Sequence, residues 1–168
     1  MRPKDLLLAL LFLSVGCSKE LSTNAPSLKD GEFEIRIYDT KGTLLLSKKG
    51  QAEYIGQAEL RLTDTTFIQP NADPLKTFAS FSFRLNTPLT SSKQLSLNDN
   101  STASFYQRWY SLADDWGYSS TTGKLIVSSV ANAQAKGSFE VNLDIADSFD
   151  KNPLWGNHII VKGSFFTK

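Results

Sequence analysis

From Gly31 onward, apolar and polar side chains alternate with a period of two. Phe33, Ile35 and Ile37 interleave with Glu32, Glu34 and Arg36; Ala79, Phe81, Phe83 and Leu85 with Ser80, Ser82 and Arg84; Phe139, Val141, Leu143 and Ile145 with Ser138, Glu140, Asn142 and Asp144. Successive side chains of an extended backbone point to opposite faces, so each stretch reads as a strand with one buried and one wet face. Shorter runs rich in β-branched or aromatic residues, at 43–47, 58–62, 65–69, 93–97, 105–110, 124–130 and 158–166, are bounded by Gly, Asn, Asp, Pro or Ser and predict further strands. No window of a dozen residues beyond the first sixteen carries a helical stripe. The pattern predicts an all-β fold for residues 31–168: an antiparallel β-sandwich or partly closed barrel of about nine or ten short strands. Antiparallel pairing follows because most intervening loops are too short for parallel crossovers. A local echo, Lys136-Gly-Ser-Phe139 and Lys162-Gly-Ser-Phe165, suggests two strands that meet the sheet through glycines allowing a bulge or close backbone approach.

The start of the chain follows a different rule. Arg2 and Lys4 precede an unbroken apolar run, Leu6 to Leu13, which gives way to Ser14-Val15-Gly16-Cys17. As a helix that run rises only ~12 Å, against a hydrocarbon core of ~30 Å, so it predicts a cleaved leader rather than a permanent span. Small residues directly before a cysteine resemble the lipobox of bacterial lipoproteins, with Ser14 standing where that family usually has Leu. The resemblance implies cleavage before Cys17, diacylglycerol on its sulfur and a palmitate-type chain on the new amine. An anchor of that kind buries dozens of methylenes at ~0.8 kcal/mol each, which makes attachment effectively permanent. Ser18-Lys19-Glu20 is similar to the short lysine-plus-acidic signals that send lipoproteins of Bacteroidota to the cell surface, and implies outer-membrane residence. Residues 1–16 are thus expected to be the leader, and 17–30 a lipidated Cys and polar tether with a reach of ~20 Å.

Composition narrows the function. Lys plus Arg number 18 and Asp plus Glu 17, and cleavage before Cys17 would remove Arg2, Lys4 and Asp5, leaving equal numbers of each sign. Without a basic excess to displace counterions, nucleic-acid binding is disfavoured. One His, one Cys and one Met leave too few soft or imidazole donors for a zinc, haem or iron–sulfur site, so no metal and no cofactor is expected. A solitary cysteine also rules out a disulfide within the chain, which puts the burden of stability on an apolar core that 11 Phe can supply.

Few residues invite a chemical role. His158 is the sole imidazole base; a Ser-His-Asp arrangement would need an acid behind it and a hydroxyl before it, and no Gly-x-Ser-x-Gly elbow is present. At the head of an apolar run it is expected on the surface or at a strand edge. Asp144, Asp147, Asp150 and Asn152 offer oxygen ligands in one segment, but at a spacing that does not match an EF-hand loop. Asp114, Asp115 or Glu140 could in principle supply paired carboxylates for glycoside hydrolysis, although sequence alone cannot set them across a sugar. Residues 105–118 hold two of the 3 Trp and three of the 5 Tyr. Such aromatics either fill a β core or make a face on which sugar rings stack. Trp109, Tyr110, Trp116 and Tyr118 are the candidate ligand-binding residues, with Trp116, beside Gly117 in a predicted short loop, the best candidate for an exposed ring.

The last third of the chain, Gly123–Val127, Gly137–Leu143 and His158–Phe165, resembles small β-rich lipoproteins of Bacteroidota grouped as domains of unknown function. That resemblance implies an anchored β domain and brings no catalytic residue with it. The expectation is therefore a non-enzymatic, lipid-anchored envelope protein of the bacterial outer membrane, attached to membrane lipid through Cys17 and binding a glycan or an envelope protein. The alternative is a small hydrolase or a lipid- or sugar-carrying barrel.

Overall fold

A computed structural model describes residues 27–66, 73–97, 102–108, 115–120, 122–146 and 155–168, with 102–108, 115 and 116 described through the backbone. It is all-β. Among the described residues ten strands run in chain order: β1 (Glu32–Tyr38), β2 (Leu44–Ile55), β3 (Glu59–Thr63), β4 (Ser80–Arg84), β5 (Lys93–Ser96), β6 (Thr102–Arg108), β7 (Asp115–Ser120), β8 (Gly123–Ala131), β9 (Gln134–Ile145) and β10 (His158–Phe166). A single 3-10 turn, Pro74–Lys76, is the only helical segment among the described residues, its first turn capped by the Asp73 carboxylate. Two expectations change. The run at 65–69 opens with Thr65 and Thr66 in a turn, because Thr66 bonds back to Asp64; its remainder lies outside the described residues. The segment around Trp116, expected as a loop, is strand β7, held by antiparallel pairing to β6 in which Trp116 stands opposite Gln107.

All neighbouring strands pair antiparallel, in the order β10-β1-β2-β3-β4-β6-β7-β9-β8-β5. β10 also pairs with β9, so the sheet curls back on itself into a partly closed barrel, with β8 and β5 branching from β9. The two longest strands, β2 and β9, make the corners. β2 pairs with β1 up to Gln51 and with β3 from Gln51 onward. β9 pairs with β8 up to Val141 and then with β7 at Asp144 and Ile145. Strands that exchange partners in this way join two curved layers around one core. At the β2 corner a Cβ on Gly50 would lie 2.5 Å from the Thr63 carbonyl oxygen, so only glycine admits the crossing.

The inward faces carry the alternation read from the sequence. Phe33, Ile35 and Ile37 of β1, Phe81 and Phe83 of β4, Val141 and Leu143 of β9, and Val161 and Phe165 of β10 are all essentially buried. Phe139 of β9 sits 5.1 Å from the Phe81 ring and 5.0 Å from the Phe83 ring, binding the two layers across the interior. Contacts of this kind add about 0.5–1.5 kcal/mol each beyond the area they bury.

The repeated Lys-Gly-Ser-Phe motif has a geometric origin. Its two copies lie head to tail on adjacent strands: Gly137 opposite Phe165, Ser138 opposite Ser164, Phe139 opposite Gly163. Each copy's phenyl ring therefore covers the other copy's glycine, with ring carbons 2.5–2.8 Å from where a Cβ would stand. The same device recurs one strand away, where Phe33 covers Gly50 across β1 and β2. An aromatic ring lying over a cross-strand glycine restores the buried surface that the missing side chain forfeits.

Where β2 parts from β3, the flank of the core is closed by the segment around Asp64 and Phe78. Phe78 is fully buried, its ring 5.9 Å from that of Phe33. Asp64 is buried too, and its carboxylate accepts from the Thr66 amide (2.9 Å), the Thr66 hydroxyl (2.7 Å) and the Phe78 amide (3.3 Å). Lys48, opposite Ile35 and thus on the inward side of β2, brings its ammonium to 3.3 Å from Asp64 and donates to the Lys76 carbonyl at 2.8 Å. A buried carboxylate is tolerable only with such compensation.

Candidate functional site

The registers define two poles. At one lie Gly31, the two-residue turn Asn132-Ala133 and the C-terminal Lys168; Glu32, Phe166 and Lys136 are level with one another there. At the other lie the β1–β2 turn, the start of β10, the end of β9 and the ends of β6 and β7, where Arg108 pairs with Asp115. From Lys136 to Ile145 along β9 the separation is roughly 30 Å at ~3.3 Å per residue. The end of β6 and the start of β7 therefore lie at the pole opposite the one at which Gly31 joins the sheet.

Of the four candidate aromatics, Trp109 and Tyr110 lie outside the described residues, and Trp116 is placed through its β7 backbone. Tyr118 belongs to the core: its side chain is 1% exposed and its hydroxyl donates to the Gly156 carbonyl at 2.9 Å. Burial pushes the phenol above its ordinary value, with a hydrogen bond from the Trp155 backbone opposing the shift in part. The packing role, not the display of a ring to solvent, is what Tyr118 serves. Trp155, which the period-two pattern did not mark, is buried beside it. Together with the bonds from the Ala146 amide to Gly117 and from the Ile145 amide to Asn157, Tyr118 staples the chain that precedes β10 onto β7 and β9. The signal available in the sequence was Gly156, which adopts a positive φ of 81° directly after Trp155 and so marks a turn.

His158 is exposed at the start of β10, as the sequence suggested, and it has a partner: its Nδ1 contacts the Asp144 carboxylate, the residue directly across the strand pair. Two residues considered separately, one as a lone base and the other as an oxygen ligand, thus form one pair. On the far side of Asp144, across β7, stands Ser119. The order is Ser119, Asp144, His158, with the acid in the middle. A serine nucleophile needs the imidazole in the middle, to take the proton while the acid orients it. Asp144 is a strand residue rather than part of a loop, while Asp147, Asp150 and Asn152 lie outside the described residues. Among the described residues no group of three His, Cys, Asp or Glu side chains converges as a metal site would require. Glu140, a candidate acid, is on the outer face of β9 and pairs with Lys162 at 3.0 Å; Asp114 lies outside the described residues.

Cys17 and the segments expected as leader and tether, up to Pro26, lie outside the described residues. The last residues of the segment expected as tether belong to the fold: Leu28 is buried, and the Glu32 amide donates to the Lys29 carbonyl at 3.1 Å. No helix among the described residues is long and apolar enough to cross a membrane. The fold defines an antiparallel β domain curled around a phenylalanine-rich core. No family model matches the chain, and neither a curated protein nor a solved structure matches it.

Proposed function

We propose that this protein is a non-enzymatic, lipid-anchored envelope lipoprotein of the small β-rich Bacteroidota type, whose β domain serves as a binding module for a glycan or an envelope protein. The observation that carries the reading is the solitary Cys17, placed after an apolar run too short to span a bilayer and directly behind Val15-Gly16. Acylation there and residence at the outer membrane account for a polar stretch between that cysteine and Leu28, the first buried residue among those described.

Two observations favour binding over the alternatives. The exposed His158–Asp144 pair has Ser119 on the acid's side, an order that does not activate the hydroxyl. Phe81, Phe83 and Phe139 meet across the interior at 5.0–5.1 Å, which occupies space that a lipid- or sugar-carrying barrel would keep for cargo. The ligand-facing residues under this reading are Trp109, Tyr110 and Trp116.

The test is made on protein isolated from native membranes. Mass spectrometry of the N-terminal peptide is expected to show a di- or triacylated Cys17, and metabolic palmitate to label the chain. An unmodified Cys17 terminus, or partition into the aqueous phase after detergent extraction, refutes the anchor. For the binding role, glycan arrays and envelope extracts are screened with Trp fluorescence as readout. Silence on both together with unquenched fluorescence refutes it, as would a hydrolytic activity that Ala at position 158 abolishes.

A further inference from the structure

The point at which the N-terminal segment joins the domain is rigidly tied. The Ala52 amide donates to the Gly31 carbonyl at 2.8 Å, the Lys168 amide to the Ala52 carbonyl at 3.2 Å, and the Thr167 amide to the Ala135 carbonyl at 2.9 Å. The Ala135 amide returns a bond to the Thr167 hydroxyl at 2.8 Å, and Leu28 is buried just before the clamp. The chain therefore leaves the fold at a fixed place, beside its own C-terminus, and not from a frayed end.

From this clamp we infer that the domain has a fixed polarity toward a lipid surface: the pole of Gly31, the Asn132-Ala133 turn and Lys168 faces the bilayer, and the pole of β6, β7 and the Asp144–His158 pair faces away. The inference rests on the lipid-anchored reading above. Its physical basis is a comparison of two lengths. The stretch from Cys17 to Leu28, expected from its composition to act as a tether, would reach ~20 Å as a coil, whereas the two poles are roughly 30 Å apart along β9. A tether shorter than the body it holds cannot bring the far pole to the surface as often as the near one. Partners in solution would then meet the residues of the β6–β7 end first.

The experiment uses the full-length, natively acylated protein in vesicles carrying a small fraction of lipid with an energy-transfer acceptor on its headgroup. A donor dye is placed by Lys168→Cys or by Lys41→Cys, two exposed lysines at opposite poles, so that both variants lose the same charge. An acylated Cys17 cannot take the dye, so one label per chain reports the anchor independently. Transfer from position 168 is expected to exceed that from position 41 by about twofold or more, given ~20 Å of reach against ~30 Å of body. Inserting about forty Gly/Ser residues after Glu20 raises the reach to ~40 Å and should collapse the difference. One label with equal or reversed transfer overturns the polarity and leaves the anchor standing. Persistence of the difference on the long tether overturns the length argument. Two labels per chain with no vesicle flotation overturns the anchor, and the polarity with it.

Discussion

Adding one methyl group at Gly163 or Gly137 tests the interlocked glycine–phenylalanine arrangement most directly. At Gly163 a Cβ would fall 2.5 Å from Phe139 Cζ and 2.6 Å from the Glu34 carbonyl oxygen; at Gly137 it would fall 2.2 Å from the Ile126 carbonyl oxygen and 2.8 Å from Phe165 Cζ. Inserting a methyl into a packed site costs about 1–3 kcal/mol. The upper end applies here, because one obstacle at each position is a main-chain carbonyl of a neighbouring paired strand and cannot rotate away. Gly163→Ala and Gly137→Ala are each expected to cost ~3 kcal/mol, which lowers Tm by roughly 10 °C for a domain of this size. Gly42→Ala is the control: at φ 83° with nothing within 4 Å, it carries only the left-handed backbone penalty of about 1 kcal/mol. Urea unfolding of residues 17–168, with Cys17 replaced by Ser, gives the comparison from the midpoints at constant slope. Placing Phe139→Leu in the Gly163→Ala background removes the ring but not the carbonyl, so a double-mutant cycle should return about 1 kcal/mol of favourable coupling. A Gly163→Ala variant no less stable than Gly42→Ala, or a coupling of zero, would refute the interlocking account.

Four further outcomes follow from single contacts. Ala133 holds φ 64° in the second position of the Asn132-Ala133 hairpin turn, so Ala133→Gly should stabilise the domain by about 1 kcal/mol, read as a rise in Tm. Lys48→Met leaves the buried Asp64 carboxylate without its cation; a loss of ~2 kcal/mol is expected, less than for a fully buried pair because Lys48 keeps 18% exposure, and adding Asp64→Asn should recover part of it. His158→Ala, which removes a pair 65% and 69% exposed, should change the free energy of unfolding read from urea titration by less than about 0.5 kcal/mol. In the β1–β2 turn, hydrogen bonds from the backbone of Thr43 and Lys41 lower the Asp39 carboxyl below its ordinary value of 3.8. Because the folded value is depressed, the stabilisation is complete above the ordinary value and is lost as pH falls through the lowered one; a carboxyl NMR titration of Asp39 with its midpoint at or above 3.8 would contradict this.

Much of the fold was written in local chemistry. Alternation at 33–37, 79–85 and 139–145 specifies strands and their buried faces because a period of two admits no other regular structure. The candidate site was less legible. β7 escaped notice because Asp115-Trp-Gly-Tyr118 reads as a turn, and its strand character comes from pairing with β6 and β9, partners remote in sequence. Tyr118 and Trp155 look alike in sequence to rings that face solvent; what buries them is the return of the chain before β10 across the end of β7. One long-range fact was present in disguise. Pairing the two Lys-Gly-Ser-Phe copies head to tail fixes the β9–β10 register, and that register places His158 opposite Asp144.

By itself, then, the sequence determined an all-β domain with a phenylalanine core, since periodicity and composition are properties of neighbours along a chain. Only the tertiary structure decided that β2 and β9 turn the corners, that Lys48 meets Asp64 inside, and that chain exit and aromatic hairpin occupy opposite poles. These depend on which strands exchange partners, and that is settled by the packing of side chains far apart in sequence, where a missing Cβ at Gly50, Gly137 or Gly163 counts as much as any side chain present.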